Sequence, residues 1–165
     1  MSRLLATAAI LSAMSFAIPL NASPITPASV LSAMNEYRAK AGVAPLRDDA
    51  RLDAAAEDRM RDMEDREYWG HESPDGRAPF VWLAPHGYDF RFAGENLACG
   101  FDTTELLVQS WMESPGHRAN ILSSDFDDCG IAVIDGSTKG PAAGKSIVVM
   151  FGRSRTPAGK KPPVH

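Results

Sequence analysis

A histidine and a glutamate stand four positions apart in SWMESPGHRANIL, residues 110–122, where one helix ends and another begins. Ser114-Pro115 reads as a helix start, with serine at the N-cap and proline in the first turn, where its missing N–H is harmless. The new helix then opens with Gly116, His117 and Arg118. A helix N-terminus exposes free N–H groups and the positive end of the dipole. An imidazolium is disfavoured there, so His117 is expected as neutral imidazole, the form that binds a metal ion or accepts a proton. Glu113 precedes it, and two further candidates stand upstream: His71 in HESPDG and Glu95 in GENLACG. Two imidazoles with one or two carboxylates suit zinc, with water in an open position, and such a centre polarises a carbonyl or activates water. The donors come from three separate segments, unlike an HExxH helix face. The fold must bring them together.

The elements that would do so follow from periodicity. Thr26-Pro27 starts a helix with Val30, Met34, Tyr37 and Ala41 at helical spacing, and Gly42 ends it. VAPL is a turn. A long helix is expected from Asp49 to Tyr68, with Leu52, Ala56, Met60 and Met63 as its core stripe. Glu57/Arg61 and Asp62/Arg66 stand at i,i+4 on a solvated face. Pro74-Asp75-Gly76 is a tight turn that Ser73 caps, and His71 lies just before it. PFVWLAPHG reads as one or two short helical turns closed by Gly87, and Tyr88–Phe92 as an aromatic-rich connector. Asp102 or Thr103 caps a further helix carrying Leu107 and Trp111, the latter as core. After residue 122 the period changes. Residues 131–134 and 147–151 are short, β-branched apolar runs, so they are expected to be strands covered on both faces. Residues 136–145 form a loose hairpin loop. Helices first and strands last imply an α+β domain, a three-layer α-β-α sandwich around a small, mostly antiparallel sheet.

Residues 1–22 have a basic start at Arg3, an apolar run and a small residue, Ala22, which is the pattern of a secretory signal peptide. The chain divides into that peptide, a linker at 23–27, one domain at 28–152 and a basic, Pro-rich, disordered tail at 153–165. Without the leader, 16 Lys and Arg face 21 acids, and four of those cations sit in the tail, which leaves the body near −9. Such a body excludes nucleic acid and anionic membrane as natural partners. No transmembrane segment is expected after cleavage, and the chain should be a monomer. Cys99 and Cys129 invite one disulfide in an exported protein, closing a loop of about 30 residues for about 3 kcal/mol; two buried thiols are the alternative. Two cysteines and a simple leader place the chain in a bacterial periplasm or outside the cell.

HESPDG, GENLACG and SWMESPGHRANIL, in this order and spacing, resemble the CAP superfamily of cysteine-rich secretory proteins, antigen 5 and pathogenesis-related class 1 proteins. NEYRAKAGVAPLRDDARLDAAA is similar to the first two helices of its compact bacterial, SCP-like branch. The resemblance spans about residues 28–152 and implies the same three-layer sandwich. It also implies a cleft with two histidines and two glutamates that binds a divalent cation in some members. His71 matches the first histidine, Glu95 the first glutamate and His117 the second histidine. Glu113 is the nearest candidate for the second glutamate, displaced by one place from the eukaryotic pattern. Asn96, Arg118 and Asn120 should support the helix start and its neighbouring loops, and Ser73 the His71 turn. His86, with no motif around it, should be an ordinary surface residue.

Three functions fit these residues. The first is an exported binding module with an acidic His/Glu cleft that holds zinc or another divalent cation and takes a lipid, a glycan or an envelope protein. The second is a metal-dependent hydrolase in which a glutamate is the general base for a metal-bound water. The third is a structural protein with a vestigial cleft. Catalysis is not general in the family, which favours the first. Singly, His71 could hydrogen-bond within its loop, His117 could cap its helix, and Glu95 could hold backbone N–H groups or pair with a histidine.

Overall fold

The computed structural model describes residues 22–135 and 144–155. The expected leader up to residue 21, most of the 136–145 loop and the tail from 156 lie outside the described residues. The chain runs α1 (Pro27–Lys40), β1 (Arg47–Asp48), α2 (Ala50–Asp65), β2 (Phe90–Phe101), α3 (Thr104–Glu113), α4 (Pro115–Leu122), β3 (Asp128–Ile134) and β4 (Lys145–Ser154). Two 3₁₀ turns, Pro79–Trp82 and Ala84–His86, lie between α2 and β2.

The sheet order is β1-β3-β4-β2. Strands β3 and β2 flank β4 antiparallel, and β1 adds a two-residue parallel edge to β3. Strand β4 explains the absence of polar alternation. Its Ile147, Val149 and Phe151 enter one core, and Val148 and Met150 enter the other. The first core is closed by α1, α3 and α4 through Val30, Met34, Leu107, Trp111 and Ile121. The second is closed by α2 through Leu52, Ala56, Met60 and Met63, with Leu83 and Tyr88 from the 3₁₀ region. Burial of each such large side chain contributes about 1.5–3 kcal/mol. The three-layer α-β-α sandwich is therefore present.

Gly130 sets the distance between α2 and β3: a Cβ there would lie 2.0 Å from the Leu52 carbonyl carbon. Only glycine permits that approach.

Several local expectations are corrected. The aromatic-rich connector and the GENLACG motif, for which no element is expected, are one twelve-residue strand, β2, with irregularities at Phe90/Phe92 and Cys99/Phe101. Helix α2 stops at Asp65, where Glu67 takes a positive φ of 56°. Arg61 pairs with Asp58, at 2.6 Å, rather than with Glu57. Arg66 does reach Asp62, at 3.5 Å. The supposed linker packs as part of the domain, with Ile25 buried.

The expected Cys99–Cys129 bridge does not form, and both thiols are free. Register gives the reason. Cys129 lies opposite Phe151 and Cys99 opposite Ser146, on the two flanking sides of β4. Five residues along the strand and two strand spacings put the Cα atoms about 19 Å apart, far beyond the roughly 7 Å limit of a disulfide. Burial pushes the Cys129 thiol far up from its ordinary range.

Candidate functional site

Strand β2 is one edge of the sheet, and its open side is where the site is assembled. An edge strand presents unpaired carbonyls that need donors. Two of them, two residues apart, are taken by side chains of the helical corner. Trp111 Nε1 donates to the Leu97 carbonyl at 3.1 Å, and Asn120 Nδ2 donates to the Glu95 carbonyl at 3.0 Å. Asn120 Nδ2 also donates to Asn96 Oδ1 at 2.9 Å, and Asn96 Nδ2 donates to the main-chain carbonyl of His117 at 3.2 Å. Gly94 makes room for this contact, since a Cβ there would meet Phe126 Cζ at 2.8 Å and Asn120 Oδ1 at 3.2 Å. Asn96 and Asn120 thus fix α4, and with it His117, against the strand that carries Glu95.

The corner between α3 and α4 forms as read, with one difference. Ser114 occupies the N-cap position, but its side chain makes no capping bond. Its extended backbone, φ −91° and ψ 119°, is what a residue before proline adopts. Arg118 Nη1 instead ties the new helix to the Met112 carbonyl, at 3.3 Å. The far end of α4 is held by Arg38 of α1. Arg38 is buried, and Nη1 donates to the carbonyls of Ile121 and Ser123 at 2.8 and 2.9 Å. Burial lowers its pKa from the ordinary guanidinium value.

On the other face of β2, Glu95 is sunk into the α2 layer, its side chain 1% exposed. Arg59 Nε donates to Glu95 Oε2 at 3.0 Å, from a guanidinium that is itself 0% exposed. Arg59 also donates to the Tyr68 hydroxyl and the Gly70 carbonyl, and its Cζ lies 4.9 Å from the centroid of the Trp82 ring. The Tyr68 hydroxyl donates in turn to Asp62. Burial and Asp62 push the phenol up to about 12. These contacts lock the loop that follows α2 and deliver His71 to the other oxygen of Glu95, with Nδ1 to Oε1 at 2.7 Å. The ion-paired carboxylate only accepts, so Nδ1 carries the hydrogen and donates it. Nε2 is left as the free nitrogen of a side chain that is 58% exposed.

The two imidazoles are driven apart electrostatically. The hydrogen bond to Glu95 raises the His71 pKa above its ordinary value of 6.5. Burial, and then the charge of His71, lower that of His117. His117 stacks at a tilt on Trp111, with ring centroids 6.3 Å apart.

The remaining candidates are also placed. Glu113 accepts from Gln109 Nε2 at 3.0 Å on the exposed face of α3. Ser73 is buried and donates to Asp75 Oδ1 at 2.6 Å while accepting the Arg77 N–H at 3.0 Å, which makes it the brace of its turn. Ser73, Arg66 and Arg77 together hold the Asp75 carboxyl well below the usual range. His86 is a clip, its Nε2 lying 2.8 Å from Asp58 Oδ2.

These residues do not fit a four-donor metal centre. Both oxygens of Glu95 are committed, one of them to a buried cation. Neither His117 nor Glu113 completes a group with that pair: among the described residues no three His, Cys, Asp or Glu side chains are spaced to hold a metal ion. Arg59 is the residue that sequence reading missed. Leu52, Ala55, Ala56, Arg59, Met60 and Met63 are the buried residues of α2, so its i,i+3,i+4 position within the apolar stripe was the available signal.

Residues 31–150 match the cysteine-rich secretory protein (CAP) family. The chain belongs to the CAP family. This CAP domain is 38% identical over 106 residues to the uncharacterised protein YkwD of Bacillus subtilis and 32% identical over 104 residues to the uncharacterised membrane protein YlbC of the same organism. The matches cover 64% and 63% of this chain but 41% and 30% of those proteins, so the CAP domain spans less than half of either relative. Its fold matches an extracellular SCP-domain protein of Bacillus anthracis with a TM-score of 0.67 at 26% identity, covering 78% of this chain and 40% of that one. It also matches an outer surface protein of Borrelia burgdorferi with a TM-score of 0.67 at 23% identity, covering 76% of this chain and 90% of that one. No helix among the described residues is long and apolar enough to cross a membrane.

Proposed function

We propose that this CAP domain is exported and works as a binding module that takes a glycan between His71 and His117, without turnover and without a bound metal. The leader pattern at 1–22 supports export, as does likeness to proteins named as extracellular or outer-surface. The observation that carries the reading is the state of Glu95. A general base must reach a water or a substrate proton. Glu95 is 1% exposed and occupied on both oxygens. It orients His71 and favours its protonated form instead.

What remains for a ligand is Nε2 of His71, a donor when the ring is protonated and an acceptor when it is neutral, and a second, more neutral imidazole that both donates and accepts. That pair suits hydroxyl groups. The body charge near −9 repels polyanions such as anionic lipid surfaces, which leaves neutral polyhydroxyl ligands favoured over lipids. A second reading, a zinc ion on the two imidazoles alone, draws support from the free Nε2 of His71, because a metal-bound histidine commonly donates its other N–H to a carboxylate.

The test is calorimetric titration of the mature chain with a panel of neutral envelope glycans, followed by product analysis. Saturable binding that weakens at least tenfold in a His71→Ala/His117→Ala double variant, with the glycan recovered intact, is expected. Cleaved glycan, or binding that the double variant leaves unchanged, would overturn the reading.

A further inference from the structure

The first described residues change character between Ala22 and Ser23. Ala22 is exposed, whereas every residue from Ser23 to Thr26 is fastened. The Ser23 carbonyl accepts the Thr104 N–H at 3.1 Å. The Pro24 carbonyl accepts from Thr104 Oγ1 at 3.1 Å and from Ser29 Oγ at 2.9 Å. Ile25 is 1% exposed in the core, and Thr26 opens α1 through a reciprocal capping box with Ser29. The Ser23 nitrogen itself faces the carboxylate of Glu105, 3.3 Å from Oε1 and 3.1 Å from Oε2.

In the unbroken chain the Ser23 amide shares its single hydrogen between the two oxygens. An amide brings one hydrogen and no charge; an ammonium brings three and a full positive charge. Glu105 stands in the first turn of α3, where a carboxylate is favoured by the helix dipole.

We infer that the chain is cut between Ala22 and Ser23 and that Glu105 is the receptor for the new α-ammonium group of Ser23. The inference rests on the export reading and adds to it a device that seals the processed end. A leader peptidase, a hydrolase of peptide bonds, adds water across the Ala22–Ser23 amide. The carboxylate stays on Ala22 and the ammonium on Ser23, so atoms and charge balance. The amide contact to Glu105 becomes an ion pair, and the N-terminal segment, already held to α3 through Thr104, is pinned more firmly once the leader has gone. Glu105 is held below the ordinary glutamate range by its own backbone N–H and by Ser23, which agrees with a carboxylate kept ionised for this partner.

The full chain is expressed with its leader in a bacterial host, and the exported product is read by intact mass and N-terminal sequencing. A product beginning at Ser23 is expected. An uncut chain would overturn both this inference and the export reading; a product beginning elsewhere would overturn this inference alone. The ion pair is then isolated by thermal unfolding of two chains, one begun at Ser23 and one at Asn21, where Ser23 contributes only an amide. Glu105→Gln should lower the Tm of the Ser23 chain by about 2–4 °C and that of the Asn21 chain by less than half as much. Equal losses in the two chains would remove the ammonium from the account.

Discussion

Arg59 and Glu95 form a buried ion pair, 3.0 Å from Nε to Oε2, with side chains 0% and 1% exposed. The pair lies between α2 and the edge strand, and Glu95 in turn holds His71 through its other oxygen. Removing one member strands the other charge in the core, which typically destabilises by about 3–5 kcal/mol. Arg59→Met should show a loss of that size in urea denaturation, and Arg59→Met combined with Glu95→Leu should recover most of it. A single-variant loss below about 1 kcal/mol would mean that the pair does not hold this layer together.

Zinc provides a separate check. With Glu95 committed to Arg59, chelator-stripped protein should show no tight one-to-one Zn²⁺ binding in calorimetry. Tight binding that disappears in both His71→Ala and His117→Ala would contradict this and restore the two-imidazole metal reading.

The Asn120 amide caps the open carbonyl of Glu95 and reaches Asn96 Oδ1 with the same nitrogen. Asn120→Asp would set a carboxylate against two acceptors. A loss of about 1–3 kcal/mol is expected, accompanied by a chemical-shift change at His117, whose carbonyl Asn96 holds. An unchanged His117 signal would show that the asparagine pair does not position the second histidine.

Thiol chemistry checks the register argument. The protein purified without reductant should have the mass of the fully reduced chain, and its Tm should be unchanged by reductant. In the native state Cys129, 0% exposed, should resist alkylation, and both cysteines should react after denaturation. A mass lower by two hydrogens would contradict the sheet register itself.

The legibility of this fold in its sequence was uneven for physical reasons. The strands β3 and β4 were visible because both of their faces enter apolar cores. Strand β2 was not, because its middle carries Gly94, Glu95 and Asn96, residue types that strands disfavour. Glycine there admits Phe126 and Asn120, and each polar side chain finds its partner on a distant segment. No local pattern carries such information. His71, Glu95 and His117 were legible as motif members, and the structure puts His71 on Glu95 and packs α4, which carries His117, against the same strand. Arg59 was hidden because its neighbours Glu57, Arg61 and Asp62 read as a solvated face, although it occupies a core position.

The measurement that bears most directly on the role of Glu95 is a pH titration of the imidazole signals by side-chain NMR. His71 donates to a buried carboxylate, so its protonated form is favoured and its pKa is raised. The Glu95 contact with a charged His71 is therefore fully present below the ordinary value of 6.5 and is lost as pH rises through the higher folded value. His117, buried and repelled by His71, should give up its proton at lower pH than 6.5. Two well-separated curves, with His71 above and His117 below, are predicted, and Glu95→Gln should bring them together. Two histidines that titrate together near the ordinary value, or a His71 curve indifferent to Glu95→Gln, would contradict the assignment of Glu95 as the group that orients His71 and favours its protonated form.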